Sequence, residues 1–457
     1  MASFTLDEAL RATGAAVENP APVIFADIVT DTRRITPDAL FVALQGERFN
    51  GDDFAVEAVN KGAAGVLVSA GCAAKKLTGL TCPVLHVADP LRAYQALARA
   101  WRMKFSLSVV AITGSNGKTT TKDLTASVLG AAWPVLKTEA NFNNEVGLPL
   151  TLLRLTEKHR AAVVEIGMRG LGQIAALAPI AAPSIGVVTN VGETHIELLG
   201  SMANIARAKS ELVEAIETGG TVILNADDPY VAAMAGKRRR GVQLVTFGEV
   251  EGATVRGGNI AFEGLAASFT VSFDGGTPEK FCLPLAGHHN ISNALAALAV
   301  GWTLGLTPAV MREGLARPAL TEQRFECYKK GAYTIVNDAY NASPASMTAA
   351  LQTLAEIAPG RRIAVLGDML ELGEIAPAAH RRVGEEAAAA GVVALVTCGK
   401  LGERIAEGAQ SAGLKSVFPC ASHEAAGEKL RQILKPGDTI LFKGSHGMRM
   451  DKIIALI

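Results

Sequence analysis

The sequence predicts an α/β fold with three domains. Its 457 residues are too many for a single hydrophobic core. Apolar residues make up 49% of the chain and aromatic residues only 5%, a composition typical of packed layers of helix and sheet. Short apolar runs alternate with helical patterns along most of the chain, which indicates strands connected by helices.

The first domain is predicted over residues 1–104. Apolar runs at 40–44, 64–68 and 84–87 have the length of buried strands, and residues 54–61 have a helical pattern between them. These elements indicate a small α/β domain.

The central domain is predicted over residues 105–317, with a mostly parallel sheet of the P-loop type. Its strand-like runs are apolar throughout rather than alternating, which indicates strands covered on both faces; they lie at 108–113, 161–167, 185–191 and 221–225.

Two further features close the central domain. Short alternating strands at 253–283, with Gly257–Gly258 and Gly275–Gly276 as turns, predict a small antiparallel flap. A helix is expected from Ile291 to about Leu304, ending at Gly305.

The third domain, 318–457, repeats the α/β rhythm and is predicted to be Rossmann-like. Its strands are expected at 333–337, 363–366, 392–397 and 439–442. It contains no G-x-G-x-x-G, so the sequence does not indicate a dinucleotide site.

Charge and cysteine usage exclude several classes of function. The 44 basic and 44 acidic residues cancel, which gives no electrostatic reason to expect a nucleic acid or an anionic membrane as partner. Six cysteines are scattered without a C-x-x-C pair, a pattern typical of reduced thiols. No signal peptide or membrane-spanning run is evident. We therefore expect a soluble, cytoplasmic protein that binds neither nucleic acid nor membrane. Separately, we expect it to act as a monomer.

The stretch Thr113-Gly-Ser-Asn-Gly-Lys-Thr-Thr120 predicts a phosphate-binding loop between a strand and a helix. Free backbone N–H groups and the helix dipole favour an anion at such a place. Gly114 and Gly117 allow close approach, Lys118 supplies positive charge, and the Thr119 hydroxyl can bind Mg²⁺. Ile112 stands where the usual motif has its first glycine, so an ordinary strand–helix turn is the alternative.

Two side chains near strand ends predict a magnesium site beside this loop. Glu165 lies near the end of one apolar run, and His195 lies just beyond the next. The ends of successive parallel strands meet at one edge of a sheet, where ligands bind. Taken singly, Glu165 could be a solvated strand end and His195 a loop imidazole.

The phosphate loop resembles the T-G-x-x-G-K-T-T loop of the Mur ligases, ATP-dependent amide-forming enzymes of bacterial cell-wall synthesis in which the first glycine is absent. The resemblance continues in order along essentially the whole chain, through Glu165 and residues 138–149, 190–195, 225–229, 287–293, 322–325 and 337–344.

One stretch is similar to a particular branch of that family, which adds D-alanyl-D-alanine to UDP-N-acetylmuramoyl-tripeptide. It is Val365-Leu-Gly-Asp-Met-Leu-Glu-Leu-Gly373, with His380. The D-N-P-R or D-D-P-R motif of the diamino-acid-adding branch is absent from the third domain. The resemblance implies ATP and Mg²⁺ as cofactors, these two compounds as substrates, and an acyl-phosphate intermediate. It also implies that the first domain binds the UDP-sugar and the third the amine substrate.

The resemblance also implies roles for individual residues. Those for ATP are Thr113, Gly114, Ser115, Asn116, Gly117, Lys118, Thr119, Thr120, Asn290, Asn293, Arg324 and Asp338. Those for substrate are Thr32, Arg33, Asn50, Asn143, Asn144 and Tyr340. The implied metal ligands are Thr119, Glu165, His195 and a carbamylated Lys209; Lys118, Glu165, His195 and Lys209 are the implied catalytic residues.

Other roles for these residues remain open from the sequence alone. Asn290 and Asn293 could cap a helix, Lys209 could be a solvated helix lysine, and the segment around Thr32 and Asn50 could be surface turns. Two other functions also remain open: a diamino-acid-adding ligase, and a P-loop NTPase that performs no synthesis.

Overall fold

The computed structural model describes residues 2–457 and has the predicted α/β architecture. Residues group into two compact units. The first consists of the chain up to Ala111 with Trp133–Gly167 and Ala175–Ser184; the second consists of Ile112–Ala132, Met168–Ile174 and Ile185–Ile457. Among residues 2–457, no helix is both long enough and apolar enough to cross a bilayer.

The N-terminal part contains seven strands and three helices. In chain order they are β1 Phe4–Thr5, α1 Leu6–Thr13, β2 Ala16–Glu18, β3 Ile24–Phe25, β4 Asp27–Val29, β5 Ala39–Val42, α2 Ala55–Asn60, β6 Gly65–Ser69, β7 Val84–Val87 and α3 Pro90–Arg102. β2, β7, β6, β5 and β4 form one sheet in this order, parallel except for the β2–β7 pair. Helix α3 begins where Asp89 accepts the N–H groups of Leu91 and Arg92.

The next stretch contains the phosphate loop. Its elements are β8 Ser108–Thr113, α4 Lys118–Gly130, β9 Val135–Lys137, α5 Gly147–Leu152, β10 Ala161–Glu165, α6 Gln173–Ala181, β11 Ile185–Val188, α7 Ile196–Leu199, α8 Met202–Ala215, β12 Thr221–Asn225, α9 Pro229–Ala232, β13 Gln243–Gly248, β14 Val255–Glu263, β15 Ala266–Phe273, β16 Glu279–Leu283, α10 His288–Thr303 and α11 Pro308–Ala316. In the first unit β9 and β10 pair in parallel. In the second unit β11, β12, β13 and β14 are parallel, and β14, β15 and β16 form the predicted antiparallel flap.

The flap corrects one predicted turn. Gly257 and Gly258 lie inside β14, and the turn to β15 is instead made at Gly264, whose φ is +58°. A Cβ at Gly257 would lie 2.8 Å from the side chain of Leu295 on α10. The glycine is therefore required for helix packing rather than for chain reversal.

The C-terminal part is a six-stranded sheet with helices on both faces. Its elements are β17 Glu326–Lys330, β18 Tyr333–Asp338, α12 Pro344–Ile357, β19 Arg362–Gly367, α13 Ala376–Ala389, β20 Val392–Cys398, α14 Gly402–Ser411, β21 Val417–Cys420, α15 His423–Ile433, β22 Thr439–Lys443 and α16 Asp451–Ile454. The strand order is β17-β18-β22-β19-β20-β21, and only β17 is antiparallel to its neighbour. One apolar cluster lies on each side of this sheet.

Candidate active site

The phosphate loop runs from the end of β8 to the start of α4. Gly114 has φ +155° and Gly117 has φ +79°. A Cβ at Gly114 would lie 1.8 Å from the hydroxyl of Thr189, and one at Gly117 would lie 2.3 Å from Oδ1 of Asn293. Both glycines are therefore required by conformation and by space.

The segment that follows β11 fixes the loop. Ser115 donates its hydroxyl to the Gly192 carbonyl at 3.0 Å and accepts the Gly192 N–H at 2.8 Å. The N–H of Asn116 donates to Oδ1 of Asn190 at 2.9 Å. The segment 190–195 therefore supports the phosphate loop. Asn190 and Gly192 have a structural role that the sequence alone did not identify.

Lys118 and Thr119 occupy the start of α4. The Lys118 ammonium donates to the carbonyls of Gly114 and Ser115, at 2.8 and 3.2 Å, so its charge lies over the loop. Thr119 is buried, Thr120 is partly exposed, and the hydroxyl of Thr113 is buried without a hydrogen-bond partner. An unsatisfied buried hydroxyl at this strand end is a group that a bound ligand could satisfy.

Arg324 joins this site from beyond α11. Its Nη2 donates to Oγ1 of Thr119 at 3.1 Å, and its guanidinium carbon lies 3.7 Å from the centre of the Tyr340 ring. The Nε of Arg324 is buried without a hydrogen-bond partner. Arg324 therefore lies beside the phosphate loop, and its role in binding ATP stays a prediction.

Asp338 lies at the end of β18. Its Oδ1 accepts the N–H of Phe325 at 3.2 Å, and its Oδ2 accepts from the buried Lys443 ammonium at 2.5 Å. Lys443 also donates to the carbonyl of Asn341 at 3.0 Å. Lys443 ends the buried strand β22, and this position is the sequence signal that could have identified it.

Asn290 and Asn293 do not cap α10, which begins at His288 with Gly287 before it. Both amides are buried within the helix. Oδ1 of Asn293 accepts the Thr121 hydroxyl at 3.1 Å, and Asn290 donates to the Ala286 carbonyl at 2.8 Å. The two residues therefore do not cap the helix; Asn293 connects α10 to α4 beside the phosphate loop, and Asn290 binds the chain just before α10.

Lys209 is buried on α8, which contradicts the reading as a solvated helix lysine. Burial lowers the pKa of Lys209 well below its ordinary value, and the nearby charge of Lys118 lowers it further. The amine is therefore poised to be neutral, the state that can add CO₂.

His195 precedes α7 and has φ +58°. Burial lowers the pKa of His195, while the Glu371 carboxylate in contact with its Nδ1 acts in the opposite direction. The sequence did not identify Glu371 as a site residue, although the segment 365–373 contains it.

Glu165 belongs to the first unit and ends β10. It is buried and accepts from the Asn143 side chain at 2.7 Å, so it is not a solvated strand end. Oδ1 of Asn144 accepts the N–H groups of Val146 and Gly147, which starts α5. Asn143 therefore orients Glu165, whereas the Asn144 oxygen serves the backbone.

The residues predicted to bind the UDP-sugar form hydrogen bonds and an ion pair with close neighbours in sequence. Arg33 pairs with Asp31 at 2.7 Å, and this hydrogen-bonded pair lowers the pKa of Asp31 to about 2. Thr32 and Arg33 form a single turn of 3₁₀ helix, and Asn50 accepts the N–H of Asp52 at 3.0 Å. Both segments are ordered turns, and their role in binding stays a prediction.

Within residues 2–457, no cluster of three or more histidine, cysteine, aspartate or glutamate side chains could hold a metal ion. The predicted ligand set is of a different kind: a threonine hydroxyl, one carboxylate, one imidazole and a modified lysine. Oxygen donors predominate in that set, which is the chemistry Mg²⁺ prefers. The neutral amine of Lys209 fits the set, because only that form can become a carbamate.

Three family models match successive parts of the chain. They are the "Mur ligase family, catalytic domain" over residues 25–102, the "Mur ligase middle domain" over 112–301, and the "Mur ligase, glutamate ligase domain" over 323–446.

Individual proteins match over almost the full length. UDP-N-acetylmuramoyl-tripeptide–D-alanyl-D-alanine ligase from Bacillus subtilis is 37% identical, covering 93% of this chain and 92% of the relative. A crystal structure of MurF from Acinetobacter baumannii superposes with a TM-score of 0.91 at 29% identity, covering 99% and 98% of the two chains. The structure of MurF ligase from Thermotoga maritima in complex with ADP superposes with a TM-score of 0.83 at 28% identity, covering 94% of this chain and 97% of that chain.

Proposed function

The chain belongs to the Mur ligase family, and from this membership we propose that it joins D-alanyl-D-alanine to UDP-N-acetylmuramoyl-tripeptide. The reaction consumes ATP and yields the UDP-linked pentapeptide, ADP and phosphate. ATP and UDP-sugars are cytoplasmic metabolites, so we place the reaction in the cytoplasm. We also propose that a monomer is active.

The contact between Arg324 and Thr119 carries the proposal. It brings a side chain from the stretch after α11 onto the helix of the phosphate loop. An arginine at the phosphates also serves P-loop NTPases, so the contact supports a nucleotide site, and the family membership favours a ligase over an NTPase. The activity of the relatives as D-alanyl-D-alanine-adding ligases then favours this dipeptide over a diamino acid as the amine donor.

We propose a division of labour along the chain: residues 1–104 bind the UDP-sugar, 105–317 bind ATP, and 318–457 complete the ATP site and bind the amine. Thr32, Arg33 and Asn50 are proposed to bind the UDP-sugar, while Asn143, Asn144 and Tyr340 are proposed to bind the remaining substrate. These assignments rest on the resemblance of the sequence.

The proposed phosphate site consists of backbone N–H groups from the loop and two cations. Lys118 supports negative charge that develops on the phosphates, and the unpartnered Nε of Arg324 supplies a further donor. Asn290 and Asn293 are proposed to lie on the adenine side, where Asn293 also binds Thr121 of α4, and Asp338 is proposed to meet the ribose or phosphate.

We propose that Thr119 and Glu165 hold one Mg²⁺, and that His195 and carbamylated Lys209 hold a second. Bound there, Mg²⁺ would neutralise phosphate charge so that a carboxylate can approach. The buried amine of Lys209 contributes because a carbamate carries negative charge where an ammonium would repel a cation.

The reaction balances in two steps. The terminal carboxylate oxygen of the tripeptide bonds to the γ-phosphorus of ATP, and the bond from that phosphorus to the β–γ bridging oxygen breaks, releasing ADP. The amine nitrogen of D-alanyl-D-alanine then attacks the acyl carbon and loses a proton, and phosphate leaves. Lys118 and Arg324 support the phosphate charge in both steps.

Donor dependence tests this function. Purified protein is incubated with ATP, Mg²⁺ and the UDP-tripeptide, and ADP release is measured with D-alanyl-D-alanine or with a diamino acid. Release only with D-alanyl-D-alanine, together with the expected pentapeptide mass, supports the proposal. Release without an amine would favour the NTPase, and release of AMP and pyrophosphate would contradict the mechanism.

A further inference from the structure

The segment of residues 318–325 connects α11 to β17, and we call it the linker. It lies along α4, and three of its hydrogen bonds to that helix are regularly spaced. The N–H of Ala319 donates to the hydroxyl of Ser127 at 3.2 Å, and the N–H of Thr321 donates to Oδ2 of Asp123 at 2.8 Å. The third contact is the one from Arg324 to Thr119 at 3.1 Å.

The helix residues in these contacts are regularly spaced. Positions 127, 123 and 119 are four residues apart, so they lie on one face of α4. Four helical residues advance about 6 Å, and two residues of extended chain, such as 319 to 321, span about 7 Å. The linker therefore runs antiparallel to the helix in matching register, and the last step is completed by the long side chain of Arg324.

A buried ion pair lies at the middle contact. The Lys122 ammonium and the Asp123 carboxylate are 3.2 Å apart, and their side chains are 0% and 1% exposed. Lys122 also lies 3.5 Å from the Thr321 hydroxyl. An ionised carboxylate is a stronger acceptor than a neutral group, and pairing offsets the cost of burying its charge. The pair therefore fixes the backbone of Thr321 against α4.

The far end of the linker is anchored separately. Phe325 is buried in an apolar cluster of the C-terminal sheet, and its N–H donates to Asp338. Gln323 and Phe325 have φ of +59° and +53°, a region that non-glycine residues seldom adopt. Arg324 thus lies between two fixed points and has little freedom to leave Thr119.

We propose that Asp123 and Ser127 are positioning residues, which hold the linker on α4 so that Arg324 stays beside the phosphate site. The inference rests on the proposed function only in that the ligand at this site is a nucleotide. Loosening the linker withdraws a guanidinium from the phosphates without altering the phosphate loop itself.

Two variants test the proposal. Ser127→Ala removes the acceptor of the first contact at a partly exposed position. Asp123→Asn combined with Lys122→Met removes both buried charges together, which avoids leaving either one alone. Thr303→Ala is the matched control, because its hydroxyl bonds only within α10, to the Ala299 carbonyl at 2.7 Å.

The first measurement is limited proteolysis of the full chain without substrates, using a Glu-specific protease that cuts after the exposed Glu322. The double variant loses a hydrogen bond to a charged carboxylate, so its cleavage at Glu322 should rise by about tenfold. Ser127→Ala loses a hydrogen bond between neutral groups, so its cleavage should rise by about threefold. ADP should protect the wild type, and Thr303→Ala should be cut at the wild-type rate.

The second measurement is affinity for a fluorescent ADP analogue, followed by KM for each substrate. Nucleotide affinity should fall by about five- to tenfold, with KM for the UDP-tripeptide changed less than about twofold and the thermal midpoint preserved. Unchanged cleavage and unchanged ADP affinity in the double variant would overturn the proposal, as would equal losses for every substrate. Neither cleavage nor ADP binding depends on the amine donor, so failure of the ligase assay leaves this test intact.

Discussion

The imidazole of His195 contacts the carboxylate of Glu371 through Nδ1. Both residues have positive φ, +58° and +62°, so each side chain is presented from an unusual backbone conformation. Arg169 pairs with the same carboxylate at 3.0 Å, and the N–H of Glu197 donates to the Glu371 carbonyl at 3.3 Å. With Nδ1 committed to Glu371, Nε2 is the nitrogen that can bind a ligand.

Replacement of Glu371 by glutamine should weaken metal binding at His195. The amide keeps the size of the side chain but loses the charge that orients the imidazole and increases its basicity. We expect Mn²⁺ affinity, measured by electron paramagnetic resonance in the presence of ADP, to fall by about tenfold. Glu374→Gln, an exposed neighbour, serves as the control. Equal Mn²⁺ affinity in both variants would show that Glu371 does not support a metal ligand.

Lys118→Met should abolish turnover without unfolding the protein. The Lys118 ammonium donates to two carbonyls of the phosphate loop, and the thermal midpoint shows whether the variant stays folded. We expect kcat to fall by about a thousandfold or more, since charge stabilisation in the transition state is removed. Steady-state ADP release and the thermal midpoint measure the two effects. The exposed Lys415→Met is the matched control, and a Lys118→Met enzyme with near-normal kcat would contradict the proposed site.

Lys209 should be carbamylated at neutral pH. Burial lowers the pKa of Lys209 well below its ordinary value, which disfavours the protonated form and so favours addition of CO₂ to the amine. Protein equilibrated with ¹³C-bicarbonate should give a carbamate carbon signal, which Lys209→Ala removes together with most of the activity. The absence of that signal in active wild-type protein would refute the modification.

Local patterns predicted much of this fold. Strands β8 and β12 have the predicted limits because continuous apolar runs end there at polar residues. The edge strands β17 and β21 were missed, since exposed edge strands carry charged or proline residues and lack a continuous apolar run. Gly257 was wrongly predicted to form a turn. The absence of a side chain there makes room for Leu295 on α10, which lies 38 residues away in sequence.

The candidate site was predictable only in part for a similar reason. Gly114, Lys118 and Thr119 follow from a local strand–loop–helix pattern whose chemistry is carried by adjacent residues. Glu371, Lys443 and Asp123 act through partners distant in sequence, and nothing in their neighbours indicates this. Lys209 is the extreme case: its helix has the composition of a surface helix, and only packing shows that the amine is buried.

Helices α13 and α14 should tolerate no side chain at their crossing. A Cβ at Gly384 would lie 1.9 Å from the Ile405 carbonyl oxygen, and a Cβ at Gly408 would lie 1.9 Å from that of Arg381. Gly384→Ala must push the backbones apart, and we expect a loss of about 3 kcal/mol in the free energy of unfolding. Gly130→Ala, where a Cβ meets open space, should be neutral or slightly stabilising. Urea unfolding of both variants measures the difference, and equal midpoints would contradict the close packing.

His289 should make the protein less stable in mild acid. Burial lowers the pKa of His289 to about 4, from 6.5; the charges of Lys443 and His288 act in the same direction, and Asp338 opposes them. As pH falls, the unfolded chain therefore binds this proton first, so stability is complete above about pH 6.5 and is lost between about 6.5 and 4.

The full pKa shift of His289 would correspond to about 3 kcal/mol of stability. The residue is partly exposed, however, and solvent screens part of the cost of charging the imidazole. We expect His289→Gln to remove about 2 kcal/mol of the difference between urea unfolding at pH 7 and at pH 4.5. His288→Gln, at the exposed adjacent position, should keep most of that difference. If His289→Gln and the wild type lost the same stability over this interval, the buried imidazole would not be a source of the acid sensitivity.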